Sequence, residues 1–154
     1  MLFPWLLAVP TLAMSHLAGT WPHTQAPAEQ AAIEETRDRI AKRFNPMIRP
    51  AVRPRLKEVV AATPSYLIDT SAAPLVLLAW EGEEVRTRLG QEQKKGDRTI
   101  RLSTVDDGLE LAVVGPNGTK TQRFVTDGDT LHVTITLASP RIGDPVTWEL
   151  TYRQ

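Results

Sequence analysis

The sequence predicts a mainly β protein, an antiparallel up-and-down barrel with an α-helical segment inserted near the N-terminus. From Tyr66 onward, apolar and polar residues alternate with a period of two in successive short runs, as they do in half-buried strands. Between the runs stand dipeptides typical of tight hairpin turns, namely Glu81-Gly82, Asp107-Gly108, Asn117-Gly118 and Asp127-Gly128. Each strand therefore has one apolar face, and one side of the sheet is buried.

Closure into a barrel follows from the number of strands. About seven or eight such runs, with a short strand near Trp21, would leave two exposed edges if the sheet stayed open. A closed barrel has no edges, and a sandwich of two sheets is the alternative arrangement.

The segment 27–63 is expected to be a helical insertion between the first strand and the rest. The sequence predicts a helix over 28–44, with Ile33, Ile40 and Phe44 on one face. A second, shorter helix is predicted over 55–62, with Leu56, Val59 and Val60 on its buried side. Between them lies a link spaced by Pro46, Pro50 and Pro54, which could serve as a hinge for a lid.

The composition excludes several function classes. With 154 residues, 42% of them hydrophobic and 23% charged, the chain is long enough for one globular domain with its own core. It contains no cysteine, which excludes a disulfide framework, a thiolate metal site and a cysteine nucleophile. Its 18 basic and 18 acidic residues cancel, so no overall charge attracts it to nucleic acid.

The N-terminal residues 1–15 have the pattern of a signal peptide. Residues 1–14 carry no charged side chain, and their apolar stretch is too short to span a bilayer. Ala13 and Ser15 place small residues at the −3 and −1 positions if cleavage follows Ser15. We therefore expect a secreted or periplasmic protein whose single domain covers 16–154. The alternative is an apolar first element of the domain itself, because no Lys or Arg precedes the apolar stretch.

Short motifs at the two ends carry a resemblance to a known family. Gly19-Thr20-Trp21 directly follows the expected signal, and the chain ends Leu150-Thr151-Tyr152-Arg153. In these segments the chain resembles the lipocalin-like (calycin) barrels, and more narrowly the small secreted bacterial proteins that begin "AGTW" and end "PV…LTYR". The likeness covers 17–21 and roughly 108–153. The chain departs from the family in the helical segment that follows the first strand and in lacking a Thr-Asp-Tyr motif.

The resemblance implies a structural role for three residues and a class of function. Gly19 and Trp21 would close the floor of the barrel, and Arg153 would pack across the Trp21 ring as a cation–π pair. It also implies that a small, mostly apolar molecule binds inside the barrel. The aromatic residues expected to line that space are Trp80, Phe124, Trp148 and Tyr152.

No catalytic or metal-binding pattern stands out in the sequence. His16, His23 and His132 have no ligand spacing, and there is no Gly-x-Ser-x-Gly, phosphate loop or dinucleotide fingerprint. We therefore expect no enzyme activity, no metal and no cofactor. An enzyme with an unrecognised site stays open, and it would require His132 to cluster with an acid and a serine.

The alternative function rests on a basic segment. Residues 37–57 hold 8 of the 18 basic residues and a single acid, Asp38. In this interpretation the barrel is filled, and the segment contacts anionic lipid or a partner protein. The residues that would make that contact are Arg37, Lys42, Arg43, Arg49, Arg53 and Lys57. The same pattern fits two solvated helices packed on the sheet.

Overall fold

A computed structural model describes residues 14–106 and 108–154, which contain ten strands and two α-helices. Before the first strand lies a 3-10 turn, Ser15–Leu17. The elements in chain order are β1 (Gly19–Pro22), α1 (Pro27–Lys42), α2 (Arg49–Val59), β2 (Ser65–Asp69), β3 (Leu75–Trp80), β4 (Glu83–Arg88), β5 (Glu92–Lys95), β6 (Arg98–Val105), β7 (Gly108–Gly115), β8 (Gly118–Asp127), β9 (Thr130–Ala138) and β10 (Val146–Arg153). The main prediction of antiparallel strands after an early helical segment is confirmed.

The strands form two sheets, ordered β1-β2-β3-β4 and β10-β9-β8-β7-β6-β5, in which every neighbouring pair is antiparallel. The predicted up-and-down order is therefore correct, whereas closure by continuous hydrogen bonding is wrong. At one seam, β1 meets β10 through a single bridge between His23 and Tyr152. At the other, no ladder joins β4 to β5 within the described residues, and the Gly90 N–H donates to the Leu102 carbonyl at 2.8 Å.

Three of the predicted hairpin turns are confirmed. The dipeptides at 81–82, 117–118 and 127–128 each lie at the connection between consecutive strands. Gly82 and Gly128 have φ values of 73° and 61°, which disfavour any side chain with a Cβ. Asp107 of the fourth dipeptide lies outside the described residues, and Gly108 begins β7.

The inward-facing side chains of the larger sheet are aligned in rows by its register. One row runs across β9, β8, β7 and β6 through Leu137, Lys120, Val113 and Ile100. The next row consists of Trp148, Ile135, Gln122, Leu111 and Leu102. A third row consists of Leu150, Val133, Phe124 and Leu109. Every residue of the second and third rows is buried.

Helix α1 begins at Pro27, whose fixed φ suits a first helical turn, and it buries Ile33, Ile40 and Ala41. Helix α2 begins at Arg49, several residues before the predicted start. The link between the helices is therefore shorter than predicted. A proline is tolerated in the first turn of a helix, and Pro50 lies in the first turn of α2. None of the helices in the described ranges is long and apolar enough to cross a membrane.

The interior of α2 departs further from the prediction. Pro54 lies inside the helix and removes one backbone donor. The helix is held instead by the buried side chain of Leu56 and by Arg37 of α1, which donates to the carbonyls of Lys57 and Val60. Val59, predicted on the buried side, is 39% exposed.

The 3-10 turn Ser15–Leu17 packs against β8. Leu17 is fully buried, and its carbonyl accepts the Trp21 indole N–H at 2.9 Å. Met14 is buried beside it. Residues 1–13 lie outside the described residues, so the signal peptide stays a prediction.

Candidate ligand-binding cavity

A cavity of about 430 Å³ lies between the two sheets, at the end of the barrel where the β3–β4, β5–β6 and β7–β8 turns meet. This volume falls within the range of small-molecule pockets, roughly 300–1,000 Å³. Its apolar lining consists of Trp80, Val85, Ile100, Val113 and Leu137. Its charged and amide side chains are those of Glu83, Asp97, Arg98, Asn117, Lys120 and Gln122. We call the rim formed by Glu83, Asp97, Arg98 and the β7–β8 turn the cavity mouth.

Strand β8 places two polar side chains inside the barrel. Lys120, Gln122 and Phe124 alternate with outward-facing residues, and all three face inward. Lys120 lies opposite Val113 and Leu137 in the row nearest the mouth, and Gln122 lies one row deeper. Because Lys120 and Gln122 are polar, β8 lacks the clear apolar alternation of its neighbours. The strand's own composition therefore did not reveal the site residues, although the well-patterned strands on either side could have indicated their orientation.

Lys120 is half-buried in this apolar surrounding, and burial lowers the pKa of its ammonium group. The carboxylate of Glu83 opposes that shift. The Glu83 carboxylate is nevertheless beyond ion-pair distance of Lys120, and it lies 3.9 Å from the Lys95 ammonium. Among the described residues, Lys120 has no acid within ion-pair distance. The cavity thus contains a cation that has no acidic partner in the part of the chain that the structure describes.

Gln122 is only 2% exposed and links the cavity to a group of aromatic rings. Its Oε1 accepts the Tyr66 hydroxyl at 3.0 Å, which leaves the amide N–H groups without a partner among the described residues. The Tyr66 ring makes edge-to-face contacts with Phe124 and Tyr152, at centroid distances of 5.1 and 5.0 Å. Burial raises the pKa of Tyr66 well above its ordinary value, so the hydroxyl stays a neutral donor.

The four aromatic residues predicted to line the interior separate into two groups. Trp80 borders the cavity and lies 6.1 Å from the Tyr66 ring. Phe124, Trp148 and Tyr152 face inward but belong to the packed core behind the cavity wall. The Tyr152 hydroxyl donates to the Thr63 carbonyl at 3.1 Å, and the Trp148 Nε1 is buried without a partner among the described residues.

The structure does not form the predicted contact between Arg153 and Trp21. Trp21 faces the core and is 1% exposed. Arg153 follows the inward-facing Tyr152, so strand alternation turns it outward, where its guanidinium lies 4.0 Å from the Asp129 carboxylate. The side chain that covers Gly19 is that of Gln154, whose amide donates to the Ala18 carbonyl at 3.3 Å.

Several arginines of the basic segment hold the helices in place. Arg43 donates to the carbonyls of Ile142 and Asp144 at 2.8 and 2.6 Å, which fastens the end of α1 to the β9–β10 connection. Arg37 and Arg49 also donate to backbone carbonyls, and Arg53 pairs with Asp38 at 2.7 Å. Lys42 and Lys57 are exposed. Contact of this segment with anionic lipid or a partner protein stays a prediction.

The three histidines lie apart. His23 is buried at the seam between β1 and β10, His132 is exposed on the outer face of β9, and His16 belongs to the 3-10 turn. Asp129, the acid nearest to His132 in sequence, accepts the Thr130 hydroxyl and faces Arg153. Within the described ranges, no three His, Cys, Asp or Glu side chains come together as a metal site would require.

No protein-family model and no curated protein sequence matches the chain. Solved structures do match it over almost its whole length. The fatty-acid-binding protein 1 of Echinococcus granulosus superposes with a TM-score of 0.58 at 13% sequence identity, covering 92% of this chain and 98% of that one. The chain has the fold of the fatty-acid-binding proteins. A fatty-acid-binding protein of Manduca sexta gives a TM-score of 0.58 at 14% identity, covering 91% of this chain and all of its own. The fluorescent protein UnaG gives 0.57 at 14%, covering 92% and 98%.

At the coarser level, this fold agrees with the antiparallel barrel architecture that the resemblance to lipocalin-like proteins implied. The narrower likeness to small secreted bacterial proteins stays a prediction. With identities of 13–14%, the comparisons show the fold alone.

Proposed function

We propose that the protein is a non-catalytic binding protein that holds a small, mainly apolar molecule in the cavity. The observation that carries this proposal is an apolar-lined space of about 430 Å³ inside a fold shared with proteins described as fatty-acid-binding. A ligand chain that buried about 250 Å² of apolar surface would gain roughly 6 kcal/mol before the entropic costs of binding.

Two neighbouring valines of β7 provide a matched test. Val113 lines the cavity, whereas Val114 faces outward and is 48% exposed. We expect the wild type and Val114→Phe to bind the apolar dye 1-anilinonaphthalene-8-sulfonate, measured by fluorescence. Val113→Phe would fill the cavity and abolish that binding. Native mass spectrometry of the purified full chain should also detect a bound apolar species. Equal dye binding by both variants would place the binding surface outside the cavity and refute the proposal.

Export of the protein is a separate proposal, supported by the sequence pattern of residues 1–15. Expression of the full chain in a bacterial host, followed by fractionation and mass measurement, tests it. We expect an exported product that lacks residues 1–15. An intracellular product of full mass would refute export and leave the binding function untouched.

A further inference from the structure

One cation in the cavity wall makes no hydrogen bond or ion pair with the described residues. Two cations border the cavity, Arg98 and Lys120. Arg98 begins β6 at the mouth and is exposed. Lys120 lies on β8, just after the β7–β8 turn, and is half-buried. Lys120 makes no hydrogen bond to another described residue, unlike Arg37 of α1 and Arg49 of α2. A partly desolvated ammonium without a partner costs stability, because it gives up hydration and gains no bond in return.

The acids near Lys120 do not neutralise it. Glu83 lies on the facing sheet and pairs with Lys95 at 3.9 Å. Asp97 borders the mouth and is exposed. A ligand that brings an acidic group to this position would supply the missing partner in a setting that water only partly screens, where such a charge-assisted bond is strong.

The rest of the cavity wall determines which way such a ligand points. The row of Lys120 also contains Ile100, Val113 and Leu137, all of which line the cavity. The two deeper rows contain no charged side chain. Gln122, directly below Lys120 on the same face of β8, offers amide N–H groups that no described residue occupies. An acidic group is therefore accommodated beside Lys120 at the mouth, and an apolar chain is accommodated against the apolar part of the cavity lining, which includes Trp80 and Val85 of the facing sheet.

We propose that Lys120 is the specificity-determining residue of the cavity. It selects amphiphiles with a single acidic head group and binds that head at the mouth, with the apolar chain against the apolar lining of the cavity. This inference rests on the proposed function, since it needs a ligand in the cavity. It goes further by naming the residue, the head-group charge and the orientation.

The test compares two probes with the same chain and different heads, sodium laurate and 1-dodecanol. Isothermal titration calorimetry gives the dissociation constant of each for the full-length wild type, Lys120→Met and Lys94→Met. Lys94 is exposed on β5, so its variant removes the same charge away from the cavity. We expect Lys120→Met to weaken laurate binding about tenfold or more, the scale of one charge-assisted hydrogen bond, and to leave dodecanol binding within about twofold. Lys94→Met should change neither.

Two further variants keep the test decisive if Lys120→Met folds poorly. Lys120→Arg retains the charge and should retain the preference for laurate. Glu83→Gln removes the opposing carboxylate at the mouth and should tighten laurate binding without affecting dodecanol. Unchanged laurate binding in both Lys120→Met and Glu83→Gln would overturn the inference, as would an equal loss of both probes in a well-folded Lys120→Met. A wild type that binds dodecanol but not laurate also overturns it while the proposed function stands. A wild type that binds neither probe refutes the proposed function itself.

Discussion

Replacing Glu29 with alanine should loosen the seam between β1 and β10. Glu29 Oε1 lies 2.7 Å from His23 Nε2 and accepts the Thr151 backbone N–H at 2.9 Å. The Gln25 N–H points at His23 Nδ1 at 3.2 Å, so Nδ1 is the acceptor nitrogen and Nε2 carries the proton donated to Glu29. One carboxylate oxygen of α1 thus joins both edge strands.

The structure sets the size of the effect. The side chains of His23 and Glu29 are only 3% and 11% exposed, so water replaces the lost bonds poorly. Each bond to an ionised acceptor contributes about 1.5 kcal/mol at the lower end of the usual range. Glu29→Ala should therefore lower the free energy of unfolding by about 3 kcal/mol, because two donors lose their acceptor together.

Urea unfolding followed by tryptophan fluorescence measures this change. The control is Glu35→Ala, which removes an exposed carboxylate from the same helix. The control should stay within about 0.5 kcal/mol of the wild type, as surface substitutions usually do. Hydrogen exchange at the Thr151 amide should accelerate only in Glu29→Ala. A loss below about 0.5 kcal/mol in Glu29→Ala would refute the reasoning that this carboxylate fastens the seam.

Two further predictions concern β7 and the buried tyrosines. Gly108→Ala should strongly lower the free energy of unfolding measured in urea, because the new Cβ would collide with the Phe124 carbonyl. Gly115→Ala should lower it only slightly, because the atom nearest to its new Cβ, Arg98 Cγ, lies 3.5 Å away. Equal effects of the two glycine variants would contradict that packing. Burial raises the pKa of both Tyr66 and Tyr152, so the stability they contribute is present below the unfolded pKa of about 10 and is lost as the pH rises above it. Unfolding measured between about pH 9 and pH 11 should show this loss, reduced in Tyr66→Phe, and a stability independent of pH in that range would argue against it.

The sequence predicted those strands whose burial follows a simple alternation. In β9 and β10 every inward position is apolar, and the pattern predicted both strands and their buried faces. In β5 the four residues are Glu92, Gln93, Lys94 and Lys95, all exposed, so no pattern could reveal an edge strand that buries nothing. Charged side chains are typical of an unpaired edge, which is why this strand has that composition.

The candidate site was harder to predict than the fold. The aromatic residues were expected to line the cavity because large apolar side chains face inward, yet Phe124 and Tyr152 pack against Tyr66 and fill space instead. Whether an inward residue borders a void depends on the volumes of its neighbours across the barrel, which one strand's sequence does not contain. Lys120 was overlooked for a similar reason, since a lysine indicates an outer face until the register of the adjoining strands is known.

The two seams of the barrel differ in what it takes to separate them. Parting β1 from β10 breaks the Glu29 bonds and the Thr24 N–H bond to the Thr151 carbonyl, whereas parting β4 from β5 breaks no ladder bond. Widening of the interior should therefore occur at the β4–β5 side, where the Gly90–Leu102 backbone hydrogen bond and the surface ion pair between Glu83 and Lys95 oppose it. A ligand larger than the unliganded cavity would widen the β4–β5 side, while the β1–β10 side would stay fixed. Selection by ligand size would then be weak, and the polar groups at the cavity mouth would determine which ligands stay bound.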